Sequence, residues 1–119
     1  MEAKAPFTVQ QVKDYTVVEF KINSLMDAIE LDQIAQSLYR LVDEEDRRRI
    51  ILDFERVQYL SSQAIGIIMA MRKKLGALSN SKLILVGVGE RLMQLIKIVG
   101  LDKALTIKAT QKEAINVWE

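Results

Sequence analysis

Two adjacent serines, Ser61 and Ser62, have the clearest chemical potential in the chain, because they follow an apolar strand-like run and open a predicted helix. One interpretation is structural: a serine before a helix accepts a hydrogen bond from a free backbone N–H of the first turn. The other is regulatory, since a phosphate there would add about −1.5 to −2 charges at a helix N-terminus, where the helix dipole favours anions. Such a phosphate would leave the fold intact and would present a bulky dianion to any docked partner. Position alone favours the cap.

The helix after these serines is apolar on more than one face. One face carries a regular core stripe, and Ile65, Ile67 and Met69 lie outside it. This excess is either part of a docking surface or the sign of a helix that is more buried than the others. Both interpretations stay open.

The sequence contains few of the residues that catalysis or metal binding usually requires. The chain has no cysteine and no histidine, which removes thiol nucleophiles, thiolate zinc sites and imidazole acid/base groups. Asp53 and Glu55 have no histidine, metal motif or phosphate loop beside them. The segment Gly87–Leu92 has leucine where a dinucleotide-binding loop needs its third glycine, so it predicts a plain strand-to-helix turn. We therefore expect no enzyme activity, no cofactor and no metal site.

Length and charge limit the remaining classes. The 119 residues are 50% hydrophobic, which suits one domain spanning 1–119. Seventeen basic residues against sixteen acidic ones give a net charge of +1, so nothing indicates nucleic-acid binding. The N-terminal residues lack an apolar signal region, and no apolar run reaches the ~18 residues of a membrane helix. We expect a cytoplasmic protein with no direct membrane insertion.

The elements that position the serines follow from hydrophobic periodicity. Residues 7–22 alternate around a Lys13-Asp14 turn and predict a β-hairpin, and Asp27 is placed to cap an amphipathic helix. The continuous apolar runs 50–54 and 82–87 suit central parallel strands that are covered on both faces. Further helices are predicted over about 90–99 and from Thr110, with Trp118 folded back onto the core. The predicted order ββαβαβαβα gives an α/β fold with a mixed, mainly parallel sheet and helices packed on it.

At this point the chain resembles the STAS domains, and among them the bacterial anti-sigma factor antagonists. The most specific stretch is 50–66, which is similar to the family's strand, its Asp-hydrophobic-x-x-Val loop and its serine-bearing helix start. Residues 82–88 and 98–103 support the resemblance, which covers nearly the whole chain. It implies a protein-binding regulator of transcription that sequesters an anti-sigma factor, often a serine protein kinase. Phosphorylation of the helix-start serine breaks that complex, and a serine phosphatase resets it.

The resemblance also implies site residues. Ser61 matches the phosphoacceptor, with Ser62 as the alternative, although Leu60 and Gln63 stand where the family usually has aspartate and glycine. The nearest match to the family's acidic residue after the second strand is Asn23. The expected docking surface consists of Asn23, Leu60, Ser61, Ser62, Gln63, Ile65, Ile67 and Met69. The alternative is a non-switching STAS scaffold subunit of a signalling assembly or transporter complex, in which Ser61 is only a cap.

Overall fold

The main sheet of the fold is a short hairpin followed by three further strands, each preceded by a helix. The computed structural model describes residues 6–116, so the predicted packing of Trp118 lies outside the described residues. In chain order the elements are β1 (Phe7–Val12), β2 (Tyr15–Phe20), β3 (Ser24–Leu25), α1 (Ala28–Asp43), β4 (Arg49–Asp53), β5 (Tyr59–Leu60), α2 (Ser62–Gly76), β6 (Lys82–Val86), α3 (Glu90–Ile98), β7 (Thr106–Lys108) and α4 (Gln111–Asn116).

The main sheet has five strands in the order β1-β2-β4-β6-β7. β1 and β2 are antiparallel around the predicted Lys13-Asp14 turn, whereas β2, β4, β6 and β7 run parallel. The central strand β4 carries Ile50, Ile51 and Leu52, each at most 1% exposed, as its continuous apolar run predicts. The predicted mixed, mainly parallel α/β sheet is confirmed.

Each face of this sheet has its own core. The larger core lies under α1 and α2 and includes Leu31 of α1, Leu52 of β4 and Met71 of α2. The smaller core lies on the opposite face, where Ala114 and Ile115 of α4 meet the other side chains of β2, β4 and β6. Because alternate residues of a strand point to opposite faces, β4 contributes to both cores.

Local capping signals were predicted correctly. The Asp27 carboxylate accepts a hydrogen bond from Glu30 N at 3.1 Å and begins α1. Gly100 follows the end of α3 with φ +77°, the left-handed conformation expected there. Thr110 Oγ1 accepts from Glu113 N at 3.1 Å and begins α4.

The predicted order ββαβαβαβα omits two strands. β3 and β5 form a separate parallel pair, with Ser24 opposite Tyr59 and Leu25 opposite Leu60. Two residues are too few to show strand alternation, so periodicity could not reveal them. In the part of the chain that is described, no helix is long and apolar enough to cross a membrane.

Candidate functional site

The β3–β5 pair brings the loop after β2 against the segment that leads into α2. Gln58 N and Tyr59 N both donate hydrogen bonds to Asn23 O, at 2.7 and 3.2 Å. Ser61 N donates to Leu25 O at 3.0 Å. Asn23, a predicted member of the docking surface, therefore lies beside the serine segment.

Ser61 is the N-cap of α2. Its backbone is extended, with φ −87° and ψ 169°, and its Oγ accepts a hydrogen bond from Ala64 N at 3.2 Å. The Ser61 side chain is only partly buried, and Ser62, the first residue of the helix, is exposed. The structural interpretation of Ser61 is confirmed. Because the cap uses Oγ as an acceptor, the hydroxyl proton is still available to donate.

The two positions that differ from the usual family pattern are both engaged locally. Leu60 is partly buried and packs against the larger core. Gln63 is exposed, and its amide nitrogen lies 2.9 Å from Asp32 Oδ1 and 3.4 Å from Ala28 O. Leu60 thus anchors the serine segment to the core, and Gln63 joins the first turn of α2 to α1.

The apolar excess of α2 divides between core and surface. Ile67 is 7% exposed and belongs to the larger core, so its place in the expected docking surface is corrected. It is buried because α2 contacts both α1 and β6, which covers more of the helix than one stripe. Ile65 and Met69 are partly exposed and can contribute to a surface.

Three exposed apolar side chains near the serines were missed by the sequence analysis. Met26 follows β3 and is 53% exposed, Ile29 in the first turn of α1 is 72% exposed, and Tyr59 of β5 is 43% exposed. The guanidinium carbon of Arg91 lies 5.1 Å from the centroid of the Tyr59 ring, which brings a positive charge to the same end. Ile29 could have been noticed, because it lies outside the buried stripe of α1.

These observations define one surface, which we call the serine face. It consists of seven exposed or partly exposed residues in or next to β3, β5 and the first turns of α1 and α2: Asn23, Met26, Ile29, Tyr59, Ser61, Ser62 and Gln63. It combines apolar side chains with two hydroxyls at a helix N-terminus. Such a composition suits protein–protein contact, in which apolar anchors provide area and a polar group provides control.

Asp53 has a structural role at the start of the loop that leads from β4 to β5. It is 4% exposed, its Oδ1 accepts from Glu55 N at 2.9 Å, and its Oδ2 accepts from Gln111 Nε2 at 2.6 Å. The carboxylate therefore holds the loop after β4 and ties that loop to α4. Gly87 lies against the same loop with φ +66°, and a Cβ added there would lie 2.9 Å from Glu55 N.

Comparison with known families gives this fold a class. The STAS domain family model matches residues 8–114. The chain belongs to the STAS domain family, as the resemblance in its sequence predicted.

Solved structures agree with this assignment. An anti-sigma-factor antagonist (STAS) domain protein from Planctomyces limnophilus is 20% identical, with a TM-score of 0.86 over 98% of this chain and 100% of that one. The phosphorylated form of SpoIIAA, a Bacillus cell fate determinant, is 21% identical, with a TM-score of 0.73 over 95% and 99%. A sulfate transporter family protein from Wolinella succinogenes is 18% identical, with a TM-score of 0.67 over 88% and 85%. At these identities the likeness establishes the fold.

Proposed function

We propose that this STAS domain is an anti-sigma factor antagonist that acts in the cytoplasm. Its serine face binds an anti-sigma factor of the serine protein kinase type, and this binding releases a sigma factor for transcription. Phosphorylation of Ser61, or of Ser62 as the alternative, ends the interaction, and a serine phosphatase restores it. The observation that carries the proposal is a partly exposed serine hydroxyl at the N-terminus of α2, beside exposed apolar side chains.

The helix start explains how a phosphate could act without unfolding the domain. A phosphate oxygen on Ser61 can accept the hydrogen bond that Oγ now accepts from Ala64 N. The N-terminal end of the helix dipole also favours the added negative charge. The fold would therefore persist in both states, as a reversible switch requires.

The neighbouring side chains explain why the same phosphate would prevent binding. A partner that buries Met26, Ile29 and Tyr59 must exclude water from this end of the domain. A dianion at Ser61 would then be desolvated or would hold the partner away from these anchors, and both outcomes are strongly unfavourable. Phosphorylation would change the surface and leave the core as it is.

The first test is intact-mass analysis of the protein purified from its own cells, followed by fragmentation to locate any phosphate. The proposal expects a phosphorylated fraction, with the phosphate on Ser61 or Ser62. A protein that carries no phosphate on either serine under several growth conditions would contradict the switch.

The second test compares what co-purifies with tagged variants. Ser61→Asp should lose the anti-sigma factor, whereas Ser61→Ala should retain it and no longer respond to the kinase. Ser37→Asp is the matched control, because Ser37 is exposed on α1 about 13 Å along the helix from Ala28. Equal recovery of the partner with Ser61→Asp and Ser37→Asp would refute the proposed site.

A second candidate function is a non-switching scaffold. It is favoured by the likeness to the sulfate transporter family protein and by Leu60, which packs inward where the family usually has an aspartate before the serine. For a scaffold, Ser61→Ala should reduce stability only, and partner binding should be the same before and after kinase treatment. The co-purification experiment therefore distinguishes the two functions.

A further inference from the structure

In the part of the chain that the structure describes, the outer edge of β1 has no neighbouring strand. Among residues 6–116, β1 is the end strand of the five-stranded sheet and pairs only with β2. Its central residues, Thr8 to Gln11, are all exposed. Natural proteins usually protect such an edge with lysines, prolines, bulges or a covering element. The sequence of β1, FTVQQV, contains no charge and no proline, and its pairing with β2 runs without a bulge.

The hydrogen-bond pattern shows which groups face outward. Lys21 N donates to Pro6 O at 2.8 Å, so Pro6 and Lys21 form a hydrogen-bonded pair. In an antiparallel ladder such pairs alternate, which directs the backbone groups of even-numbered β1 residues to β2. The N–H and C=O groups of Phe7, Val9 and Gln11 therefore point away from the sheet.

These three residues allow only certain pairings with a further strand. A second copy of β1 that runs antiparallel can place Val9 opposite Val9 of the second copy. In this register, Phe7 of each copy lies opposite Gln11 of the other. Each of these three pairs exchanges two hydrogen bonds, about six in all. The two Val9 side chains then lie on the same face of the joined sheet and cover each other.

The geometry points to a twofold-symmetric homodimer of this chain, formed by antiparallel pairing of β1 with β1 of the second copy across the Val9 pair. The occupant of the edge is a second copy because the outward groups are self-complementary under this twofold axis, and because β1 itself brings no charged side chain to the pairing. Val9, an apolar side chain that is 45% exposed, gains a further apolar neighbour. The dimer joins two five-stranded sheets into one.

The contact is one strand wide, which places it among the small interfaces that associate weakly. We expect a concentration-dependent equilibrium, with a dissociation constant on the order of 100 µM. No residue of the serine face lies in β1, so the dimer is a property separate from partner docking.

Disulfide trapping tests the twofold axis directly, because the chain has no cysteine of its own. A hydrogen-bonded antiparallel pair has Cα atoms about 5.5 Å apart, within the range that a disulfide spans. Val9→Cys in a glutathione redox buffer should form a covalent dimer at least about tenfold faster than Val99→Cys. Val99 is the matched control, a valine that is 47% exposed at the end of α3. Equal rates for the two variants would overturn the proposal.

A mixed pair of variants tests the register. The proposed axis places Thr8 opposite Gln10 of the second copy, so Thr8→Cys mixed with Gln10→Cys should form a disulfide-linked heterodimer. In a dimer of Thr8→Cys alone, the two cysteines are two residues out of register with each other and should link more slowly. Faster linkage of Thr8→Cys with itself would contradict this register.

Sedimentation equilibrium tests the association without cross-linking. The unmodified protein should dimerise as its concentration rises towards the millimolar range, and Val9→Lys should raise the dissociation constant about tenfold, since it places two like charges directly opposite each other. Val99→Lys should leave the constant unchanged, and urea unfolding should show that both variants remain folded. A protein that stays monomeric at 1 mM, or Val9→Lys that associates as tightly as the unmodified chain, would refute the dimer.

Discussion

Substitutions of Ser61 can test its role as the N-cap of α2 separately from its proposed role in partner binding. Ser61→Ala removes the hydrogen bond between Oγ and Ala64 N and leaves that backbone N–H without its cap. Ser61→Asp keeps an acceptor in the same place, since aspartate is as good an N-cap as serine, and adds a negative charge at the helix N-terminus. Ser61→Asp should therefore be more stable than Ser61→Ala, although it is the variant that adds a charge.

The expected magnitudes follow from the cap. Loss of the N-cap hydrogen bond should lower the free energy of unfolding by about 1 kcal/mol. With a urea dependence of about 1.5 kcal/mol per molar, the unfolding midpoint of Ser61→Ala should fall by about 0.7 M. Ser61→Asp should unfold within about 0.3 M of the unmodified protein, or above it, because the charge at the helix N-terminus contributes a few tenths of a kcal/mol.

Equilibrium urea unfolding followed by circular dichroism is the assay. Asp27→Ala is the matched control, because Asp27 caps α1 through a similar hydrogen bond to Glu30 N, and its midpoint should fall by a comparable amount. A Ser61→Ala midpoint equal to that of the unmodified protein, or Ser61→Asp less stable than Ser61→Ala, would refute the reasoning.

Two further pairs of substitutions test the neighbouring structure by the same unfolding assay. Gly100→Ala should destabilise the protein by about 1 kcal/mol, because φ is +77° there. The loss should be no larger, since the added Cβ meets no atom within 4 Å. Gly87→Ala should cost about 3 kcal/mol, because φ is +66° there and the added Cβ would also lie 2.9 Å from Glu55 N. Equal losses for the two glycines would contradict this reasoning. Ile67→Ala should cost about 3 kcal/mol because Ile67 is a core residue, whereas Ile65→Ala should cost clearly less. The reverse order would show that the assignment of Ile67 to the core and Ile65 to the surface is wrong.

The features that could be predicted from the sequence depend on residues close together in the chain. The Asp27 and Ser61 caps each join a side chain to a backbone N–H three residues later, so a short window contains both partners. The β1–β2 hairpin likewise needs only the turn at Lys13 and Asp14 and the alternation on either side. The five buried residues of α1 follow one helical stripe, which a single sequence shows directly.

The features that could not be predicted depend on contacts between distant segments. β3 and β5 are recognisable only when Ser24 meets Tyr59, and neither strand has enough residues for a period of its own. The burial of Ile67 likewise depends on which neighbours α2 meets, because helical periodicity reports an apolar face without reporting what covers it.

By itself, the sequence determined the class of fold, the helix that Ser61 caps and the absence of histidine and cysteine chemistry, because composition and short-range spacing suffice for these. Only the tertiary structure decided the membership of the serine face. Tyr59 is far from Met26 and Ile29 in the chain, and the three share a surface because β3 pairs with β5 beside the starts of α1 and α2. The open edge of β1 is also a tertiary property, since the order of strands in a sheet is set by long-range pairing, which local pattern does not encode.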